Sequence, residues 1–306
     1  MPKIGFIGAG TVGTALAVRL KDKEYPIVAV SSRSYTSAQG LSQAVPGCQP
    51  YPDSQAVAEA AALVFITTPD GAIPQVAAQV RWRPGQSVVH CSGADSLDVL
   101  EPARQAGAQV GGFHPLQTFA SVAHAIENLP GSTFALEGEG PVLDTLKDMA
   151  TALGGRWVVL KAGDKVLYHA AAVIASNYTV TLMKLATDLW QTFDVPTREA
   201  TQALMPLLRG TVNNIEKVGL PHCLTGPVAR GDLGTIAKHL AALETAAPSV
   251  LAAYRELGLH TLPIALGKGR IDEQRAEELR QLFQGAHSGP TSKPTRKRGF
   301  HLGGVA

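Results

Sequence analysis

The sequence predicts an α/β chain, an open parallel sheet with crossover helices followed by a mostly helical part, and three observations predict it. Short β-branched runs alternate with Ala-rich helical stretches over the first ~115 residues, the pattern of parallel strands joined by crossovers. A glycine-rich turn stands at the first strand–helix junction. From Ala162 onward, apolar residues recur at helical spacing in one long stretch after another.

Taken in order, strands are expected over 3–7, 27–30, 63–67, 87–91 and 109–113, with helices such as 12–20 and 72–80 between them. After Leu129-Pro130-Gly131, apolar runs at 133–136 and 157–160 flank a helical segment around 143–153 and extend the sheet. The helical half is punctuated by Pro196, Gly219-Leu220-Pro221, Gly226-Pro227 and Gly258. These divisions give a sheet domain over 1–160 and a helical domain over 161–285. The tail over 286–306 carries Lys293, Arg296, Lys297 and Arg298 with no acid, which is expected to be a disordered, solvated end.

Composition bounds the function. At roughly 150 residues per domain, 306 residues make two domains, and 45% hydrophobic content supplies a core for both. A disordered or fibrous chain is thereby excluded. Lysine and arginine number 27 against 25 acids, a net +2, so neither nucleic acid nor an anionic membrane is expected as partner. Small molecules are. Only 17% of residues are charged, below the roughly 25% usual for soluble domains, which fits a surface partly covered in a homodimer. Three widely spaced cysteines give neither a disulfide framework nor a thiolate zinc site, and a reducing cytoplasm fits. Gly5 and Gly8 interrupt the first apolar run where a signal peptide would keep it unbroken. No segment reaches the ~18 uninterrupted apolar residues of a membrane span.

Gly8-Ala9-Gly10-Thr11-Val12-Gly13 follows a predicted strand and opens a predicted helix. In that context the first glycine makes a tight turn, the second lets backbone approach a pyrophosphate, and the third lets helix pack on strand. A dinucleotide is therefore expected at the helix amino end. An acidic residue after the second strand would select NAD(H), but this chain has Ser31-Ser32-Arg33-Ser34, whose hydroxyls and guanidinium suit the 2′-phosphate of NADP(H). A surface arginine beside small loop residues is the competing reading. Thr68 and Pro69 end another strand on the same edge and are expected to line the ribose or nicotinamide side; the adjacent Asp70 either joins them or caps the next helix.

Polar residues at two more strand ends face the same crevice. His114 is a candidate proton donor to a carbonyl or imine, against the alternative of a histidine bonded to backbone. Ser92 follows His90-Cys91, of which His90 reads as structural and Cys91 as a buried small hydrophobe. Opening the helical half, Lys165, His169, Val173 and Asn177 share one helix stripe. At 1.5 Å per residue its ends lie ~18 Å apart, so Lys165 and His169 can act together while Asn177 and Ser176 reach another part of the ligand or a neighbouring helix. Arg230, in a glycine-flanked loop, either holds a substrate carboxylate or pairs with Asp232, itself a candidate cap for a helix over 233–243. No grouping has metal-ligand spacing.

GFIGAGTVG (5–13), HCSGADS (90–96), GFHPLQTF (112–119), YHAAAVIASNY (168–178) and LTGPVARGD (224–232) resemble the Rossmann-like proteins that carry a C-terminal domain of unknown function 2520. Those are similar to the group of 6-phosphogluconate dehydrogenase, ketopantoate reductase, pyrroline-carboxylate reductase and prephenate dehydrogenase. The resemblance implies an N-terminal Rossmann NAD(P)-binding domain and a helical C-terminal domain like that of 6-phosphogluconate dehydrogenase, which serves for substrate binding and dimerisation. Ser92 and His114-Pro115 look like elements of prephenate dehydrogenases. Lys165 looks like the acid of ketopantoate reductases, although His169 stands where those carry Asn and Val173 where they carry a second. The implied activity is NADPH-dependent reduction of a small, ketopantoate-like 2-keto acid, with a prephenate- or imine-type oxidoreductase, or a non-catalytic NADP-binding sensor, as alternatives.

Overall fold

The structure is a computed structural model and describes residues 1–285; the predicted basic tail lies outside the described residues. By its contacts the chain forms two compact units, Met1–Thr179 and the residues from Val180 on. Eight strands build the first: β1 (Ile4–Ile7), β2 (Ile27–Ser31), β3 (Gln49–Tyr51), β4 (Leu63–Ile66), β5 (Ser87–His90), β6 (Gln109–Leu116), β7 (Thr133–Glu137) and β8 (Arg156–Val159). Helices α1 (Thr11–Asp22), α2 (Tyr35–Ala44), α3 (Ser54–Ala60), α4 (Ile73–Gln79), α5 (Glu101–Gln105), α6 (Val122–Asn128) and α7 (Gly140–Ala152) connect them. α8 (Lys165–Ala175) completes this unit, and α9 (Asn177–Gln191) runs out of it.

The strands lie in the order β3-β2-β1-β4-β5-β6-β7-β8, parallel throughout except that β7 runs antiparallel to β6. Every sequence-predicted strand is present. β3 was not predicted, since its Gln-Pro-Tyr is only three residues long at the sheet edge. Both faces of the sheet are covered over β1, β2, β4, β5 and β7, which is why these strands read as continuous apolar runs, whereas β8 is mostly apolar yet exposed at all four residues. Phe6, Phe65, Phe113 and Phe134 form a row of ring contacts on one face, under α1 and α7. Ile7, Val64, Ile66 and Val88 point the other way, onto α3 and α4.

The second unit holds α10 (Thr197–Val218), α11 (Leu233–Ala246), α12 (Pro248–Gly267) and α13 (Glu273–Gln284). Ile236, Leu240, Leu262, Leu279 and Phe283 are its core. Asp232 caps α11 as expected, accepting from the Thr235 backbone N–H at 3.0 Å. Gly258 does not end a helix, contrary to expectation. It sits inside α12, where its missing side chain admits the ring of Phe283, whose Cδ1 would lie 2.7 Å from an added Cβ.

α8, α9 and α10 leave several apolar side chains in the open: Val166, Leu167, Ile174, Val180, Leu207 and Val212 are all more than half exposed. Among the described residues one helical stretch, Lys165–Gln191, is long and apolar enough, by length and composition, to cross a membrane.

Candidate functional site

The carboxyl ends of β1, β2, β4, β5 and β6 meet at one edge of the first unit, and the side chains there come from four loops, β6 and α8. Gly8 adopts φ 113° directly against the Thr67 backbone, with the Thr67 carbonyl oxygen 2.7 Å from where a Cβ would stand. Only glycine fits that turn. At Gly13 a Cβ would lie 2.6 Å from the Gly8 carbonyl oxygen and press into Thr67, whose Oγ1 donates to that carbonyl at 2.7 Å. Gly10 is different: no atom lies within 4 Å of its Cβ position. Space above Gly10 opens over the amino end of α1, which has no side-chain cap and no acid in its first turn. A helix terminus left in this state attracts anions through its free N–H groups and its dipole. Ala9, Thr11 and Val12 complete this turn, so the residues fit a dinucleotide pyrophosphate.

Where β2 ends, Ser31 is buried with its hydroxyl unpartnered, and beyond it Ser32 is half-buried and Arg33 is exposed with no ion pair among the described residues. Ser34 caps α2 instead of facing a ligand. At the end of β4 the Thr68 hydroxyl is buried without a partner, beside Pro69. Asp70 is not the cap of α4; its carboxylate accepts from the Ser92 hydroxyl at 2.8 Å, tying the β4 loop to the β5 loop. Ser92 in turn accepts from the backbone N–H groups of Ala94 and Asp95, so its hydroxyl is wholly engaged in shaping that loop.

His114, near the end of β6, meets Tyr168 of α8: its Nδ1 lies 2.8 Å from the Tyr168 hydroxyl, with the rings edge-on. His169 stands edge-on to the same imidazole at 6.1 Å. Gly93 makes this convergence possible, because a Cβ there would lie 2.6 Å from His169 Nδ1 and 2.8 Å from His114 Nε2. Burial, with Lys165 and His169 adding to it, lowers the His114 pKa to about 4, so its imidazole is neutral near pH 7. Burial also pushes the Tyr168 hydroxyl up to about 12, which keeps its proton in place. His90 is fully buried; its Nδ1 accepts from the Ser92 N–H at 3.2 Å, and burial with Lys165 and His114 nearby lowers its pKa to about 3. The Cys91 thiol is held up to about 12 by burial, which removes thiolate chemistry from it.

His114, Tyr168 and His169 border a cavity of about 610 Å³ that Ser176 and Asn177 also line, with Gln117, Thr118, Phe119 and Ala171, Ala172 and Ala175 of α8. Among the described residues no lysine, arginine or acid lines it. Lys165 is not at this cavity. It is buried and donates to Glu137 at the end of β7, itself buried. Ser176 breaks the predicted single helix into α8 and α9. Arg230 belongs to the second unit and lines a cavity of about 380 Å³ there with Arg270, Asp272 and Arg275. Among the described residues no group of three His, Cys, Asp or Glu could hold a metal.

Sequence reasoning missed Tyr168 and Glu137. Tyr168 was legible only as the residue before His169 in a helix, and Glu137 only as the end of a strand whose direction the sequence did not show.

The comparisons match this architecture. Residues 2–115 match the family model of a Rossmann-like domain and residues 132–261 that of a domain of unknown function, DUF2520. The two models match successive parts of the chain, the pairing its motifs implied. No curated protein matches the sequence. Among solved structures, a Bacteroides fragilis protein provisionally described as an NADP oxidoreductase is 27% identical over 85% of this chain and 97% of its own, with a TM-score of 0.68. A Thermotoga maritima protein is 27% identical over 87% of this chain and 100% of its own, at 0.70. A reductive aminase from Aspergillus terreus, solved with NADPH and ethyl-5-oxohexanoate, is 17% identical over 94% and 93%, at 0.59, a likeness of fold.

Proposed function

We propose that the chain is an NADP(H)-dependent oxidoreductase acting on a small carbonyl or imine compound. One observation carries the reading: the uncapped amino end of α1 beneath an open Gly10, at the edge where His114 and Tyr168 meet. The Bacteroides fragilis relative supports it. Gly8, Ala9, Gly10, Thr11, Val12 and Gly13 hold the pyrophosphate, Ser32 and Arg33 the 2′-phosphate, and Thr68 and Pro69 the nicotinamide side. When bound, NADPH supplies the hydride.

The chain itself manages the proton. With its proton on Nδ1, neutral His114 donates to the Tyr168 oxygen, which frees the phenolic O–H to give its proton to the substrate atom beside the carbon that takes the hydride. His169 is a second donor to the cavity, and Ser176 and Asn177 orient the carbonyl or imine. Lys165, the acid that the ketopantoate-reductase likeness implied, is committed to Glu137, so this reading moves the donation to Tyr168. Among the described residues no cation lines the cavity, which favours an uncharged substrate over a 2-keto acid.

The reading includes a homodimer working in a reducing cytoplasm. Leu207, Val212 and Val218 of α10 in the second unit leave exposed apolar side chains of the kind a second copy covers. A bilayer is the poorer cover, because the stretch that could span one includes the Lys165 ion pair and the Lys184–Asp188 pair. Three free cysteines accord with that compartment.

Titration with NADPH and NADH, followed by NADPH consumption against ketopantoate, uncharged ketones and cyclic imines, tests the proposal. Expected are NADPH binding, a preference for NADPH that Arg33→Ala abolishes, and turnover that falls by roughly 10²-fold or more in Tyr168→Phe with NADPH affinity kept. Binding without turnover on any substrate would make the chain a sensor, and failure to bind either dinucleotide would end the reading. Sedimentation of the purified protein as a monomer would refute the dimer.

A further inference from the structure

The buried Lys165–Glu137 ion pair has no part in the chemistry just described. Lys165 opens α8 and Glu137 closes β7, and both are almost fully buried, at 2% and 6% side-chain exposure. In the antiparallel β6–β7 ladder Glu137 stands opposite Gly112. A Cβ on Gly112 would lie 2.9 Å from Glu137 Oε2 and 3.2 Å from Lys165 Nζ, so the pair packs on bare backbone. Directly opposed residues project from one face of a sheet, and residues two apart on a strand share a face. His114 is two residues past Gly112, so its imidazole and the ion pair stand on the same side of β6. On the helix, Tyr168 and His169 are three and four residues past Lys165, one turn along the same face.

Each half of the Tyr168–His114 contact is therefore one step from one end of the pair. His114 sits on the strand that Glu137 is laddered to, and Tyr168 sits on the turn that Lys165 opens. We propose that the Lys165–Glu137 pair is the positioning element of this site: it fixes the first turn of α8 against β6 so that the Tyr168 hydroxyl meets His114 Nδ1, and it exchanges no proton with substrate. The proposal rests on the oxidoreductase reading only for what the contact accomplishes; the placement itself stands without it. A buried pair suits the task, because removing one partner leaves an uncompensated charge, whereas removing both leaves an apolar contact of similar volume.

That asymmetry supplies the test. Lys165→Met, Glu137→Gln and the double variant Lys165→Met with Glu137→Met are made in the full chain. Expected is that each single variant loses roughly tenfold or more in kcat, while the double variant recovers most of that loss, with NADPH affinity unchanged throughout. A double variant as inactive as Lys165→Met would show that the lysine itself delivers the proton, and would overturn the proposal. If the single variants do not fold, the double variant decides alone: turnover within about tenfold of the unaltered protein supports positioning, and a loss of 10³-fold or more overturns it.

Nitrogen-15 histidine spectra give a readout that needs no turnover. The His114 Nδ1 resonance should carry its hydrogen-bonded shift in the unaltered protein and the double variant, and lose it in any single variant that folds. An unchanged Nδ1 shift in those single variants would overturn the proposal. Should the unaltered protein reduce no carbonyl or imine, the oxidoreductase reading fails while the spectra still decide the positioning claim.

Discussion

Gly10 and Gly13 stand three residues apart and answer to different partners. Gly13 is required by the fold: a methyl group there meets Thr67 and the Gly8 carbonyl, so Gly13→Ala should destabilise the chain by about 1–3 kcal/mol, as overpacking does. Gly10 is exposed and open, with φ −84° that alanine accepts, so Gly10→Ala should cost under about 1 kcal/mol while weakening NADPH binding at least tenfold, since the methyl fills the space a pyrophosphate needs. Thermal midpoints and NADPH titrations of the two variants check this; equal effects on affinity at equal stability would remove the reason for placing the cofactor there. At this scale the sequence was legible where residues sit within a local motif, as in the glycine turn and the α8 stripe that carries Lys165 and His169. It was illegible where partners are distant. Tyr168 and His114 are 54 positions apart and Glu137 and Lys165 are 28 apart, and each pairing depends on a ladder register that no local spacing encodes.

Elements were read from periodicity, and their failures are physical. The central strands announced themselves because burial on both faces makes them apolar throughout, β8 is mostly apolar although it lies exposed at one edge, and β3 is short, carries a proline and lies at the other edge. The antiparallel direction of β7 had no signature, because an apolar run looks the same in either direction. Gly258 was read as punctuation, yet it lies inside α12 as a packing contact. Two effects compete in Gly258→Ala. Alanine gains about 1 kcal/mol of helix propensity. Against it, the new methyl meets the Phe283 ring within 2.7 Å, in the tight core of α11, α12 and α13, so the clash wins and the net loss should be about 1–2 kcal/mol. Pairing it with Phe283→Leu should recover part of that loss in urea unfolding; a Gly258→Ala variant more stable than the unaltered protein would show that the two helices are not locked at this contact.

Across the whole molecule, the same burial that sets the site's protonation also sets how stability depends on pH. His90 and His114 lie at adjacent strand ends with Lys165, His169, Tyr168, Glu137, Cys91 and Asp70 around them, and their native pKa values fall to about 3 and about 4 from an ordinary 6.5. Between roughly pH 6.5 and pH 4 the unfolded chain binds protons at both positions while the native chain does not, so protons favour unfolding in that window. Stability contributed by the neutral rings is thus full above about pH 6.5 and is lost as pH falls towards the native values. The slope is at most about 1.4 kcal/mol per pH unit for each ring, and less where neighbouring carboxylates titrate. Urea midpoints should therefore be level from pH 7 to 8 and fall steadily from pH 6 to 4.5, and His114→Gln should remove about half of that slope. The catalytic profile should differ, because His114 is already neutral: kcat should stay flat from pH 6 to 8. A stability curve without slope below pH 6, or a kcat that follows a group titrating near 6.5, would mean that His114 is protonated in the working enzyme and that the proton reaches substrate from the imidazolium and not from Tyr168.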